Sequence, residues 1–233
     1  MFDGELNRFI DVEKTCQLFE SNVTDKDASG VYFPNIVIDD LRNNKRVTVP
    51  ASVAALRAIA YNDRVAYPWW APAGFNRASL DFVRLTQVRI SNSDRELLYQ
   101  ARINPITKFP QEGYVIFSQK TLKLGTSALD SINVKRMVLE VKRLVVEASM
   151  KLIWEQMTTD LRDKFVATSN SLLSTVQLKQ GIEKFKVICN DSNNTANDIN
   201  DNKMNGRIEF VPTRAVEFIA INFIVTRSGV EFV

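Results

Sequence analysis

The chain has 233 residues, 45% of them hydrophobic and 24% charged, with a formal charge of +3. That is enough chain to bury a core as one large domain or two small ones, and the composition excludes disorder as the default state. There is no histidine, which removes the commonest general base, the commonest metal ligand and every Ser–His or Cys–His nucleophile pair.

The basic excess is weak and contains no Lys/Arg run longer than two, unlike the concentrated patch of a nucleic-acid binder. The two cysteines, Cys16 and Cys189, lie too far apart in sequence for a secreted disulfide scaffold and read as reduced, buried thiols. The opening Met1-Phe-Asp-Gly-Glu-Leu6 lacks the basic and apolar regions of a signal peptide. No apolar run approaches the roughly 20 residues needed to span a bilayer, so neither export nor membrane insertion is expected.

In chain order, Leu6 to Glu20 reads as a helix, with apolar residues near helical spacing. Asp25 to Gly30 is a polar loop. Val31 to Asp39 is a strand interrupted by Pro34, Asp40 to Lys45 a turn, and Arg46 to Val49 the returning strand of a hairpin. Pro50 to Ala60 is an alanine-rich helix with proline in its first position. Tyr67-Pro-Trp-Trp-Ala-Pro-Ala-Gly74 fits no regular element; its aromatics suit an interface anchor, but proline beside tryptophan favours a rigid, packed elbow.

Ser91 to Arg102 is a helix capped by Ser93, with Leu97 and Leu98 on one face, stopped by Asn104-Pro105. Gly113 to Ser118 is a short buried strand. Two long helices follow. Ser131 to Glu155, capped by Ser131 or Asp130, carries an apolar stripe of Val134, Val138, Val141, Val145 and Ala148, opposite Arg136, Glu140, Arg143 and Glu147. Thr158 to Gln180 is capped by Thr158 or Thr159, closed by Gly181 at C′, and apolar at Phe165, Leu172, Val176 and Leu178. Ile182 to Cys189 alternates apolar residues with lysines as a strand does, and Asn190 to Asn205 is an Asn/Asp-rich loop. Gly206 to Pro212 and Ala215 to Thr226 read as closing strands, the second so continuously apolar that both of its faces should be covered. The fold class is therefore α+β (mixed α/β), a sheet with long helices packed against it.

Little of this is catalytic or metal-binding. Asp191, Asp198 and Asp201 are oxygen donors, but the loop lacks the glycine and terminal glutamate of an EF-hand. Asp39-Asp40 reads as a turn rather than a catalytic pair, and no glycine-rich phosphate loop occurs. No catalytic residue, metal or cofactor is expected; a carboxylate-dependent enzyme is the rival from another class.

An ordered series of motifs points elsewhere. Ala71-Pro-Ala-Gly-Phe-Asn-Arg77, Leu97-Leu-Tyr99, Ile103-Asn-Pro-Ile106, Lys120-Thr-Leu122, Ser127-Ala-Leu-Asp-Ser-Ile-Asn-Val-Lys-Arg136, Cys189-Asn-Asp-Ser-Asn-Asn-Thr195 and Thr226-Arg-Ser-Gly229 follow one another along the chain. In that order they resemble the conserved C-terminal, inner part of the tail sheath protein of large contractile-tailed phages. The resemblance implies residues 1–62 as a partial N-terminal segment of the inner sheath region, a helix plus a hairpin. It implies residues 63–233 as the conserved C-terminal domain, including a terminal arm.

The function it implies is mechanical. Sheath subunits stack in rings, of sixfold symmetry in the family, around a tail tube, and contract to drive the tube through the host envelope. The implied partners are other sheath subunits, the tube protein, and baseplate and tail terminator proteins; no nucleic acid is contacted directly. The implied place is the virion tail, assembled in the host cytoplasm. A related contractile injection system, such as a bacteriocin particle or secretion system, is the neighbouring alternative. Arg162, Lys164 and Lys179 on the second long helix are candidates to face the tube. Lys135, Arg136, Lys142 and Arg143 on the first compete with them. Arg227, Val230 and Phe232 form the candidate inter-subunit arm, which would lend a strand to a neighbour.

Overall fold

In the computed structural model, residues 29–123, 127–219, 224–226 and 229–231 are described. The helix expected over Leu6 to Glu20, with Cys16, lies outside them. The described residues form β1 (Val31–Phe33), β2 (Ile36–Asp40), β3 (Lys45–Val49), α1 (Ala51–Val65), β4 (Val83–Thr86), α2 (Asn92–Gln100), β5 (Ile103–Phe109), β6 (Gly113–Ile116), α3 (Ile132–Met150), α4 (Thr159–Leu178), β7 (Ile182–Ile188), α5 (Ala196–Asn200), β8 (Arg207–Pro212), β9 (Ile224–Thr226) and β10 (Gly229–Glu231). Helices and small sheets alternate, as the α+β expectation requires. No helix among the described residues is long and apolar enough to cross a membrane.

The body is built on two three-stranded sheets. The first has the order β1-β5-β6, with β1 parallel to β5, and the second has the order β3-β2-β4. Pro34 breaks the expected single strand into β1 and β2 at a cis Phe33–Pro34 bond. Asn44 turns the β2–β3 hairpin at φ 49°, a left-handed conformation that Asn tolerates. Ala51, Ala54, Ala55 and Ala58 bring α1 close to Ile36, Ile106, Ile116 and Leu80 in one core. Leu98, Ile103, Phe33 and Leu122 make a second core beneath α2. Tyr32 is buried in the first, and burial pushes its phenol up to about 12, against a lowering from Arg136.

Asn104 and Pro105 lie inside β5 rather than ending a helix. The Asn104 amide explains why. It donates to the Val31 and Lys120 carbonyls, each at 2.9 Å, and its oxygen accepts from the Lys120 N–H at 2.6 Å. A buried side chain thus supplies ladder bonds between β1 and the segment after β6. The cap of α2 is Ser91, not Ser93, through a reciprocal capping box with Asp94. Leu98 is fully buried whereas Leu97 is 44% exposed, so the two do not share a face.

The second half is an αα-hairpin, α3 and α4, over the β7–β8 ribbon, with Val134, Met137, Val141, Leu173, Val176 and Ile182 as its core. Four of the expected stripe residues, Val134, Val138, Val141 and Val145, do pack inward. The first helix stops at Met150, short of Glu155. The side chain of its cap residue, Ser131, accepts no backbone bond and instead donates to Asp130. Thr158 caps α4 by accepting from the Leu161 N–H.

Helix α4 ends in a Schellman motif whose left-handed residue is Gln180, at φ 62°, rather than Gly181. Gly181 is required for space: a Cβ there would meet Val176 at 2.7 Å and Trp69 at 3.1 Å. Leu178 is 82% exposed, and Leu173 takes its expected place in the core. The Asn/Asp-rich loop contains the short α5.

The largest departure is Ala215 to Thr226. Residues 213–219 are not in a strand, and among the described residues of this run only Ile224–Thr226 forms one, paired antiparallel with β10. A run that reads as covered on both faces instead leaves Val216, Phe218 and Ile219 exposed.

Candidate assembly interface

After β8 the chain runs as an extended strap, residues 213–219, back over α2. Glu217 tacks it down: its carboxylate accepts from the Tyr99 hydroxyl at 2.6 Å and pairs with the Lys120 ammonium at 3.0 Å. Phe218 meets Tyr99 edge-on at 5.8 Å. Burial pulls the Lys120 pKa down, but the Glu217 bond and charge, with Asp130 and Tyr99, outweigh it and hold the ammonium above its usual value. Burial, then Glu217, raises the Tyr99 phenol.

Between strap and body lies a groove of about 870 Å3. Trp69, Trp70, Ala71, Ala73 and Gly74, from the segment read as an elbow, form one wall. Tyr67 stacks on Trp69 at 5.0 Å, and the Trp69 indole donates to the Lys179 carbonyl at 2.8 Å. Arg77 lies 5.0 Å over Trp70 while its Nε donates to the Ala71 carbonyl. Arg95 covers the opposite rim, 5.6 Å over Phe117. Neither guanidinium has a carboxylate partner among the described residues.

The structure separates the cations nominated from sequence. Arg162 is committed within the chain, to Asp191 at 2.6 Å. Lys164 is exposed two residues on, a spacing that turns it away from Arg162. Lys179 sits past the far end of the helix, 5.4 Å from the Tyr67 ring. On α3, Arg136 forks onto both oxygens of Asp63, and Arg143 bridges Glu140 at 2.7 Å and Glu147 at 3.1 Å. Lys135 and Lys142 have no carboxylate partner among the described residues, and their seven-residue spacing puts them on one face. Of the arm candidates, Val230 pairs in register with Val225, while Arg227 and Phe232 lie outside the described residues.

The Asn/Asp-rich loop is wired to itself. Asn193 donates to the Ile188 and Asn205 carbonyls, and Asn194 receives the Asn205 N–H at 2.6 Å. Its carboxylates are already engaged: Asp191 on Arg162, and within the loop Asp198 in a capping box with Thr195 and Asp201 on Lys203. Among the described residues no cluster of metal-ligating side chains occurs. Cys189 is buried, with a thiol pKa raised by that burial against a lowering from Asn194.

Sequence reasoning missed the strap and the groove. The missed signal is Glu217, a single carboxylate at the start of an apolar run.

The fold is similar to those of solved contractile sheaths. The fold matches the extracellular contractile injection system PVC sheath complex in its contracted state with a TM-score of 0.78 at 19% identity, covering 93% of this chain and 60% of that one. It matches the anti-feeding prophage helical sheath in its contracted state at 0.77 and 21% identity, covering 88% and 57%.

By sequence the chain is a relative of phage tail sheath proteins, as its motif series implies. It is 31% identical over 193 residues to that of Vibrio phage KVP40, covering 83% of this chain and 29% of that protein. It is 30% identical over 189 residues to that of Enterobacteria phage T4, covering 81% and 28%. The chain thus spans under a third of the length of these curated relatives. No protein-family profile matches it.

Proposed function

We infer that the chain is the inner, conserved portion of a tail sheath subunit, a structural protein of the virion tail rather than an enzyme. It polymerises in sixfold rings around the tail tube and contracts to drive the tube through the host envelope. The observation that carries this reading is the match to named sheath proteins over four-fifths of the chain. The exposed apolar strap supports it, because contiguous uncovered apolar surface marks an interaction site. Residues 63–233 act as the inner domain and residues 1–62 as the piece that precedes it. Arg227, Val230 and Phe232 belong to the arm that lends a strand to a neighbour. Baseplate and terminator proteins bound the array, and assembly takes place in the host cytoplasm.

For the tube-facing surface, the exposed Lys164 and Lys179 compete with Lys135 and Lys142. Exposed ion pairs contribute only about 0–1 kcal/mol each, which suits contacts that must release. Reversing Lys164 and Lys179 to Glu is expected to reduce co-sedimentation with tail tubes; undiminished co-sedimentation moves the contact to α3.

The experiment for the whole reading is negative-stain electron microscopy of the chain with and without preformed tubes. Striated cylinders or decorated tubes are expected. Globules that ignore the tube, from this chain and from a longer one alike, would sink it. Membership of a non-phage contractile injection system is the second reading, favoured by the fold match to the PVC sheath. Decoration of injection-system tubes but not phage tubes would select it.

A further inference from the structure

The tip of the α3–α4 hairpin is an apolar knob. Along the outer face of α3, Leu139, Val146 and Met150 are exposed at seven- and four-residue steps, and Ile153 continues the stripe beyond the helix end. It ends at Trp154, which is 97% exposed and sits at φ 73°. For a bulky side chain that conformation is an outlier, and here it holds the largest apolar group of the region out in solvent, where it contributes nothing to this chain's own packing. Beside it, the Glu155 carboxylate has no partner among the described residues.

At the other end of the same helix is the groove. Asn133, in the first turn of α3, lines it and donates to the Trp69 carbonyl at 3.2 Å. The 19 residues of α3 separate knob from groove by about 28 Å at 1.5 Å per residue, so the knob cannot fill its own groove. The two are chemically matched. The groove offers aromatic walls and three guanidiniums, Arg77, Arg95 and Arg214, with Glu96 and Glu217 also lining it; Arg77 and Arg95 have no carboxylate partner among the described residues. Its volume of about 870 Å3 lies in the range of pockets that take drug-sized ligands, which leaves room for an indole. The knob offers an indole and a free carboxylate on adjacent residues.

We propose that the Trp154 knob of one copy inserts into the Trp70–Arg77–Arg95–Phe117 groove of the next, with Glu155 meeting Arg95. A knob and a socket at opposite ends of one helix make a heterologous contact. Such contacts propagate head to tail and do not close into a two-fold dimer. The contact depends on the sheath reading only in taking a second copy of this chain as the partner.

The test is sedimentation velocity of the full chain across a concentration series. The wild type is expected to form a ladder of species growing with concentration, and Trp154→Ala and Arg95→Glu to remain monomeric. Mixing those two variants leaves one intact knob and one intact groove, so it should yield dimers and nothing larger. Glu155→Arg is expected to weaken association, and its combination with Arg95→Glu to restore it, a rescue that misfolding cannot mimic. A monomeric wild type overturns the proposal, as does a mixture that forms either no dimer or long polymers. A wild type that polymerises equally well as Trp154→Ala overturns this contact and leaves the sheath reading standing.

Discussion

In the body, Ile36, Ile103, Ile106 and Ile116 have no exposed surface, and the buried Asn104 has both ends of its amide satisfied. In the hairpin and strap, Trp154, Val216, Phe218 and Ile219 stand in water. The same residue types are spent differently. The body's core isoleucines are hidden within one chain, although Leu41 and Leu56 stand exposed on its surface, whereas the hairpin tip and the strap hold runs of apolar side chains that folding does not bury. A body substitution should therefore be felt as lost stability, and a tip or strap substitution as lost association.

The largest expected effect is in the body. Ile106→Ala should cost about 2–5 kcal/mol in urea unfolding, the range for a fully buried large-to-small change. Asn104→Leu comes next, at about 3 kcal/mol, because it strands the Val31 and Lys120 backbone groups without partners. If it is neutral, the amide is not the link between β1 and the post-β6 segment. Gly206→Ala tests the second half: its Cβ would sit 2.5 Å from the buried Phe165 ring, for an expected loss of about 1–3 kcal/mol.

Trp154→Gly should do the reverse, raising monomer stability by up to about 1 kcal/mol, because it relieves a left-handed residue and uncovers nothing. A loss of stability there would blur the contrast between the halves. The smallest effect is alkaline. The folded pKa values of Tyr99 and Lys120 are both raised. Their contribution is therefore complete below the unfolded values, near pH 10, and is lost as pH rises through the folded ones. Tyr99→Phe should flatten the wild type's extra loss of stability above about pH 10 in pH-dependent unfolding.

Periodicity revealed most of the secondary structure. The valine stripe of α3, the Pro34 break and the β7 alternation are patterns that backbone geometry imposes on any chain. It failed where long-range partners decide. Asn104-Pro105 looks like a helix stop until the carbonyls of Val31 and Lys120 are brought to it. Ala215 to Thr226 looks like a central strand because a sequence shows that a surface is apolar, not whether one chain or several will cover it. The nominated cations were legible as charges but not as pairs: Arg136 and Arg162 proved to be engaged by Asp63 and Asp191, far away in sequence.

The bond from the Trp69 indole to the Lys179 carbonyl joins residues 110 positions apart. Closing a loop of that size costs about 4 kcal/mol of chain entropy. By contrast, α3, α4, β7 and β8 find one another within a short stretch of chain. The order of folding follows: the hairpin and its ribbon can assemble as a local unit, and docking onto the aromatic elbow comes late. Pulse-labelled hydrogen exchange should protect the amides of Met137 and Leu173 before the Trp69 indole, and a nascent chain would complete the elbow's packing only after α4 had been made.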